Sequence, residues 1–502
     1  MVEPGYVFAE DLSTLDVDLL ALGVVKGSVI DERVSGLDVE GLVSRAVQAE
    51  GFQGDVGKHL LVYPHPRVKP RRVMLVGMGE RPGLEQVRVA AATAAQKARE
   101  ADARRLALSL PWTLLAGVSV PRVVEESASS ALMALYSFGK YKSEQKEAPS
   151  RFDVVLPPGL LSEKEAAEAV RRGEIIAGAV NYARDLANTP ASDMNPEKFE
   201  EEARRLAEDL GFKLRVFRRR ELEELGMGGI LGVGRGSSVE PRLLVIEYWG
   251  AGANSKPVAL VGKGVTFDAG GLQIKAHEGM SEMKYDKSGA AAVMGIVRAA
   301  AELGLRVNLV ALIPLVENLP SGSSYKPGDV LRMYNGTTVE ISHTDAEGRL
   351  IMADALAYAA NEYDPQAIVD LATLTGAIVV ALGPHATGLF SNNEELAKAF
   401  EEAAEVTGEK VWRMPLWPEY HEMLKSEIAD VKNTGGRWGG AITAAAFLSR
   451  FVGDKPWVHL DIAGTAWTSQ RSGQRKPYNP QGATGVGVRL VLEYLRKLCV
   501  SG

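Results

Sequence analysis

Val258-Ala-Leu-Val-Gly-Lys-Gly264 (VALVGKG) decides the fold. Four apolar residues in a row, without alternation, read as a strand buried on both faces, and such strands belong to sheets covered by helices. The same sign recurs along the second half of the chain. Strands are expected at 213–217, 241–248, 257–263, 307–313, 367–371 and 457–462. Between them, helices are expected at 196–210, 286–303, 350–361, 394–406, 440–452 and 485–497. Apolar strands alternating with amphipathic helices make an α/β domain whose mainly parallel central sheet is flanked by helices. In such a sheet, sites form where strands end. VALVGKG ends on Lys263, a charge that is costly to bury unless it is paired.

Towards the N-terminus the alternation has a smaller scale. Arg72–Val76 (RVMLV) reads as a buried strand ending in Gly77-Met-Gly79, and Gln86–Ala107 as a long helix rich in Ala, Arg and Glu. Val154–Leu156 ends another strand at Pro157-Pro158-Gly159. Ser162–Ala187 then reads as one long helix, with acids in its first turns, no breaker before Gly173, and a stop at Asn188-Thr189-Pro190. A chain of 502 residues is too long for one compact unit. The expected organisation is an N-terminal α/β domain (1–161), a connecting helix (162–189) and a second α/β domain (190–502).

Composition is that of a soluble globular protein, 46% hydrophobic and 24% charged. The net charge of −7 argues against a dedicated nucleic-acid binder, and the basic stretch His65–Arg72 (HPRVKPRR) reads as a solvated loop. The single cysteine, Cys499, excludes an intrachain disulfide and fits a reducing cytoplasm. The opening MVEPGYVFAEDLS lacks the basic-then-apolar order of a signal peptide, so none is expected. No apolar run reaches the ~18 residues of a membrane span.

Three segments concentrate unusual polar residues. In Val261–Gly271 (VGKGVTFDAGG), Asp268 precedes a glycine pair, and Lys275 follows shortly after. In Met283–Ala292 (MKYDKSGAAA), Asp286 opens a helix with an Ala- and Gly-rich face. In Ile341–Leu350 (ISHTDAEGRL), Asp345, Glu347 and Arg349 stand at every second position, so an extended segment would point all three one way. From Leu350 the spacing turns helical, which puts Arg349 at a helix N-terminus, where an anion site is expected.

Asp268, Asp286, Asp345 and Glu347 packed together would repel and force protonation. A pair of divalent cations removes that problem. Oxygen ligands suit Mg or Mn, Zn also accepts carboxylates, and two metals ~3.5–4 Å apart can activate one water. A lysine that gives up its proton could complete a shell. Taken singly, each acid beside a glycine is more often a turn or helix cap, and Lys263 could snorkel outward. That reading would have to hold at seven residues at once, so the residues point to a divalent-metal site without naming a substrate. Neither H-E-x-x-H nor G-x-S-x-G occurs, and Cys499 sits too near the terminus for a nucleophile. Gly232–Gly236 (GVGRG) lacks dinucleotide-binding spacing and is expected to be a turn.

At these motifs the chain resembles the leucyl aminopeptidase family, the cytosolic dinuclear-metal aminopeptidases. VGKGVTFDAGG (261–271), MKYDKSGAAAV (283–293) and HTDAEGRL (343–350) carry the resemblance. DLATLTGA (370–377), IADVKNTGGRWGGAITAAAFL (428–448), HLDIAGTAW (459–467) and ARDLANTPASDMNPEKF (183–199) extend it. It covers roughly 180–500 and is weak over the first ~160 residues.

The resemblance implies a leucyl aminopeptidase, a metallo-exopeptidase that releases N-terminal residues, preferably Leu or other apolar ones, from peptides by attack of a metal-bridging water or hydroxide. It implies two divalent ions per subunit, Mn2+ or Zn2+. Lys263, Asp268, Asp286 and Glu347 would form the tight site, and Asp268, Asp345 and Glu347 the exchangeable one. Lys275 would polarise the scissile carbonyl and stabilise the oxyanion. Arg349 would hold a bicarbonate that shuttles the proton, and the main-chain carbonyl of Leu374 would receive the substrate amine.

Two residues depart from the family pattern: His343 stands where Asn is usual, which bears on amine binding, and Lys287 stands where an apolar residue is usual, which adds charge near the tight metal. The resemblance also implies a cytoplasmic homohexamer with its active sites facing an inner cavity, and no membrane partner. A two-metal phosphatase or nuclease could use the same carboxylates, but only one arginine lies nearby and no G-x-x-x-x-G-K-[ST] run is present. Some family members bind DNA, against which the acidic balance speaks here.

Overall fold

The computed structural model describes residues 2–115, 117–144, 146–468 and 475–501. The chain divides into two compact α/β units. One runs as far as Gly178 and takes back a short segment ending at Pro480; the other holds the rest. The point of division falls within a single helix, Glu163–Asn188.

The first unit is built on six strands: β1 (Glu3–Phe8), β2 (Leu19–Val24), β3 (His59–Val62), β4 (Val73–Gly77), β5 (Arg105–Ser109) and β6 (Arg151–Leu156). Their spatial order is β1-β6-β5-β2-β4-β3. All neighbours pair in parallel except β3 with β4. The helix expected over 86–107 ends at Glu100 instead. Asp102 turns into the left-handed region at φ 52°, a conformation that a short polar side chain tolerates. The apolar residues after it (RLALS) pair with β2 and β6 as a buried strand. Tertiary pairing overrides helical spacing here. The basic stretch 65–72 is a loop ahead of β4, with Arg71 Nη1 3.2 Å from Asp18 Oδ1.

The second unit carries β7 (Lys213–Phe217), β8 (Arg242–Trp249), β9 (Val258–Gly262), β10 (Gly264–Asp268) and β11 (Asn308–Asn318). After these come β12 (Val330–Arg332), β13 (Thr338–Glu340), β14 (Ala367–Ala372), β15 (Thr387–Ser391), β16 (Val411–Arg413), β17 (Val431–Lys432) and β18 (Trp457–Asp461). Nine of them form the central sheet in the order β16-β15-β18-β14-β9-β11-β8-β7, with β10 on β11; β12, β13 and β17 form a separate small sheet. The core of the large sheet is parallel: β18, β14, β9, β11 and β10 all run the same way.

VALVGKG is the central strand it promises to be. Every residue of β9 is buried, and helices Ser288–Glu302 and Glu347–Tyr363 pack against it. Ala259 and Val261, two residues apart on one face, share a core with Leu350, Ala353 and Leu356. The GVGRG segment is only partly the expected turn, which falls at Arg235 and Gly236. It begins inside a short helix, Gly228–Gly234, whose Gly229 lies so close to the neighbouring backbone that a Cβ would stand 2.4 Å from the carbonyl oxygen of Leu350. No helix among the described residues is long and apolar enough to cross a membrane.

Candidate metal centre

The carboxyl ends of the parallel strands converge on one point of the second unit. Lys263 follows β9, Asp268 ends β10, Asn318 ends β11, Thr373 follows β14 and Asp461 ends β18. The chain jogs at Lys263, because β9 pairs with β14 and β11 whereas β10 pairs farther along β11, from Leu315 to Asn318. Beyond Asp268 the backbone turns through Gly270 at φ 90°, where a Cβ would lie 2.6 Å from the carbonyl oxygen of Gln273 and 3.0 Å from Asp345 Oδ1. Glycine is required there both for the angle and for the space.

The segment 341–350 reaches the site by a route other than an extended face. Thr344 and Asp345 form a turn, and the helix already begins at Glu347. Asp345 and Glu347 meet because the turn brings one back over the first residue of the helix. Glu347 and Arg349, two residues apart on a helix, point to different sides. Glu347 enters the acidic cluster, whereas Arg349 Nη1 donates to the carbonyl of Asn433 at 2.8 Å.

Six of the seven residues singled out from the sequence come together. Lys263 Nζ lies 2.8 Å from Asp286 Oδ1 and 2.9 Å from Glu347 Oε1, and donates to the carbonyl of Thr373 at 2.9 Å. Lys275 Nζ lies 2.8 Å from Asp268 Oδ2 and 2.5 Å from Asp345 Oδ1. Asp268, Asp286 and Glu347, all buried, offer oxygens within 4.8 Å of one another. Arg349 is the seventh. It is buried in the first turn of the helix beside Glu347, and its Nε has no hydrogen-bond partner.

The electrostatics are those of a crowded acid cluster with too few cations. Burial, together with repulsion from Glu347 and Asp286, pushes the Asp268 carboxyl well above its usual range. Burial pushes Asp286 up to about 6, against the pull of Lys263. Burial opposes charge on Glu347 as well, but Lys263 and Lys275 hold it below the usual range. Burial likewise disfavours charge on Lys263, yet Asp286, Glu347 and Asp268 more than offset it and hold the ammonium above its ordinary range.

Two carboxylate oxygens, Asp286 Oδ2 and Glu347 Oε2, are buried without a hydrogen-bond partner. An ionised oxygen in that state is costly. Buried hard oxygens, crowded, unpaired and converging, fit divalent cations in the way the donor types predict.

Residues not singled out for a role from the sequence complete the frame. Asn318 Nδ2 donates to Asp268 Oδ1 at 2.9 Å and to the carbonyl of Thr344 at 3.0 Å. Thr373 Oγ1 donates to Asp286 Oδ1 at 2.7 Å. Asn433 accepts from the backbone of Ser342 and His343 through Oδ1 and donates from Nδ2 to the carbonyl of His343. Asn318 was legible at most as a polar residue closing an eleven-residue apolar strand. Leu374 lies just past Thr373, half-buried, with its N–H donated to Asp461 Oδ1 at 3.1 Å.

The two departures from the family pattern behave differently. His343 is exposed and acts as an acceptor, its Nδ1 taking the backbone N–H of Asp345 at 3.1 Å. Lys287 is fully buried and donates to the carbonyls of Thr189 at 2.9 Å and Lys284 at 2.5 Å. Burial, then repulsion from Lys284, pulls it down to about 7.

Gly348 gives a direct test of the packing. A Cβ there would stand 2.6 Å from Lys263 Cε and 2.7 Å from its Nζ. Gly348→Ala is expected to displace the lysine, to destabilise the fold by about 1–3 kcal/mol as overpacking does, and to weaken metal retention. Thermal unfolding and metal content after dialysis check both effects.

Known proteins resemble this chain over most of its length. Residues 181–492 match the model of the cytosol aminopeptidase family, catalytic domain, and residues 21–145 that family's N-terminal domain. A probable cytosol aminopeptidase of Roseiflexus castenholzii is 46% identical over 494 residues, covering 98% of each chain. One from Cenarchaeum symbiosum is 44% identical over 465 residues, covering 92% of this chain and 93% of its own. Among solved structures, a tomato leucine aminopeptidase mutant superposes with a TM-score of 0.89 at 33% identity, over 99% of this chain and 97% of that one. The bottromycin maturation enzyme BotP in complex with Mn gives 0.85 at 34% identity, over 96% of this chain and 99% of that one.

Proposed function

The chain belongs to the cytosol aminopeptidase family and is an aminopeptidase, and from that premise we propose that it removes N-terminal residues, Leu and other apolar ones foremost, from peptides with two divalent ions held at the acidic cluster. The observation that carries this reading is the set of converging buried carboxylates, two of whose oxygens have no partner. Lys263, once an incoming ion has displaced its proton, would hold one ion together with Asp268, Asp286 and Glu347, and Asp268, Asp345 and Glu347 would hold the other. Mn2+ suits the oxygen-rich set, and Zn2+ is accepted by it. When bound, such a pair supplies a water acidified towards neutrality and an electrophile for the peptide carbonyl.

The remaining work falls to side chains of this chain. Lys275 hangs between Asp268 and Asp345 with 23% of its side chain exposed, so its ammonium faces both the cluster and incoming substrate. Burial lowers its proton affinity, but Asp268, Glu347 and Asp345 more than restore it, so the cation is retained. A fixed cation at that place suits the oxyanion that forms as the carbonyl is attacked. Arg349 offers a buried, unpaired Nε. Burial lowers its pKa to about 10, which still leaves it a cation near neutrality and fit to hold a bicarbonate, which would supply a proton acceptor beside the acidic cluster. The carbonyl of Leu374 receives the substrate amine, so the site acts only at a free N-terminus. The BotP structure holds Mn, which favours Mn2+ for this chain as well. A cytoplasmic homohexamer completes the reading.

Metal removal tests it. Protein stripped with chelator is expected to lose hydrolysis of leucine p-nitroanilide and to regain it with Mn2+, Co2+ or Zn2+ added singly. A folded, stripped protein that no metal reactivates on this substrate, yet that cleaves p-nitrophenyl phosphate when reloaded, would turn the assignment to phosphoester hydrolysis.

A further inference from the structure

The loop that follows β10 carries Lys275, and burial does little to hold it. Leu272 and Ile274 turn outward, 42% and 62% exposed. Gln273 and Lys275 turn inward onto the segment 343–345 and grip it in two different ways. The Lys275 ammonium takes charged partners, Asp268 Oδ2 and Asp345 Oδ1. Gln273 takes a neutral one, Thr344, and the two residues bond each other twice. The N–H of Thr344 donates to Gln273 Oε1 at 2.7 Å, and the N–H of Gln273 donates to Thr344 Oγ1 at 3.0 Å. The same hydroxyl donates to the carbonyl of Gly270 at 2.7 Å.

Thr344 is itself fixed. It is fully buried, and its carbonyl accepts Asn318 Nδ2 at 3.0 Å and the hydroxyl of Tyr325. Gly271 leaves room for the approach, since a Cβ there would stand 3.1 Å from Thr344 Cβ.

The two kinds of tether respond oppositely to a bound cation. Asp268 Oδ1 is committed to the N–H of Gly270 at 2.8 Å and to Asn318 Nδ2 at 2.9 Å. The oxygen left for an ion is Oδ2, the one that holds Lys275. Asp345, its other partner, stands in a proposed ligand set as well. With both carboxylates turned to cations, Lys275 Nζ loses its ion pairs and meets like charge. The Gln273–Thr344 pair uses no oxygen of a proposed ligand and carries no charge, so it persists.

We infer that Gln273 and Thr344 form a clasp that keeps the Lys275 loop in place in the metal-loaded enzyme, which makes both of them positioning residues for the oxyanion contact. The inference rests on the proposed role of Lys275. Its physical content is that a flexible four-carbon side chain aims its ammonium only if the backbone beneath it stays still, and a misplacement of about 1 Å can cost on the order of 10²-fold in rate.

The test uses the full-length protein, stripped and Mn-loaded. Gln273→Met keeps the length of the side chain and removes the acceptor, Thr344→Val keeps the shape and removes the hydroxyl, and Thr344→Ser keeps the hydroxyl. In the first two, kcat for leucine p-nitroanilide is expected to fall about 10-fold or more, with KM within about 2-fold and Mn content unchanged. Thr344→Ser should stay near wild type. On a Lys275→Ala background, Gln273→Met should cost less than about 2-fold, because a residue that acts only through Lys275 has nothing left to position. Amide hydrogen exchange over residues 271–280 gives a readout independent of turnover. Gln273→Met should exchange near the wild-type rate when stripped, where the ion pairs still hold the loop, and about 3–10-fold faster when Mn-loaded, the worth of a hydrogen bond. Unchanged kcat in Gln273→Met and Thr344→Val, loss of Mn, a penalty that persists in full on the Lys275→Ala background, or exchange indifferent to Mn2+ would each overturn the inference while leaving the Lys275 reading standing. Lys275→Ala turning over at the wild-type rate would remove that reading and the inference with it.

Discussion

Glu347→Gln is expected to lower turnover of leucine p-nitroanilide by more than about 100-fold, beyond the 10–100-fold that losing an outer partner of a metal site costs. Glutamine keeps the shape of the side chain and the helix start. It replaces an oxygen facing Lys263 Nζ, or the buried oxygen that has no partner, with an amide group that donates. Glu347 stands in both proposed ligand sets, so the loss falls on both ions. Stability of the stripped protein is a poor witness. Four carboxylates face two lysines there, so removing one acid relieves repulsion even as it takes a partner from Lys263. The telling quantity is the rise in unfolding temperature on adding Mn2+, because a ligand that binds only the folded state stabilises it in proportion to its occupancy. Wild type should show that rise and Glu347→Gln should show much less of it. A variant that holds two Mn ions and turns over at the wild-type rate would take Glu347 out of the site.

How far the sequence carries is clearest at particular residues. β9, β14 and β18 are legible because strands buried on both faces must be continuously apolar, and the long helix through Gly173 is legible because nothing in its first turns breaks it. The failures have a common cause, which is tertiary context. RLALS (105–109) follows a helix-like run, and only pairing with two neighbouring strands makes it a strand. GVGRG turns only at Arg235 and Gly236, and its earlier glycines serve close packing at a helix end.

The proposed metal-site residues are legible one by one because charged groups at strand ends and helix starts are conspicuous. Their convergence is partly misread, since Asp345 and Glu347 meet through a turn and a helix start rather than along an extended face. Asn318, Thr373, Asn433 and Asp461 are the residues that local pattern hides. Each is an ordinary polar residue at the end of an element or in a loop, and its role exists only once partners 50 to 90 positions away are in place.

Lys275→Ala separates chemistry from metal binding. The ammonium is tethered by Asp268 and Asp345, and the backbone N–H of Lys275 donates to the carbonyl of Ala269 at 2.9 Å, so the loop keeps its shape when the side chain is cut. What disappears is one positive charge in a cluster that already has too few. The carboxylates left behind become a stronger trap for divalent cations, so Mn2+ affinity should hold or rise. Meanwhile kcat should fall on the order of 10²–10³-fold, the cost of losing a fixed oxyanion contact, with KM little changed. The opposed directions matter more than either magnitude. A lysine that only balanced charge would be dispensable once the ions were in place, and its removal would leave kcat near the wild-type value. Such a result would strike Lys275 from the mechanism. A loss of kcat together with a loss of metal would make it part of the ion cage instead. Only retained metal with a collapsed kcat places the ammonium on the reacting carbonyl.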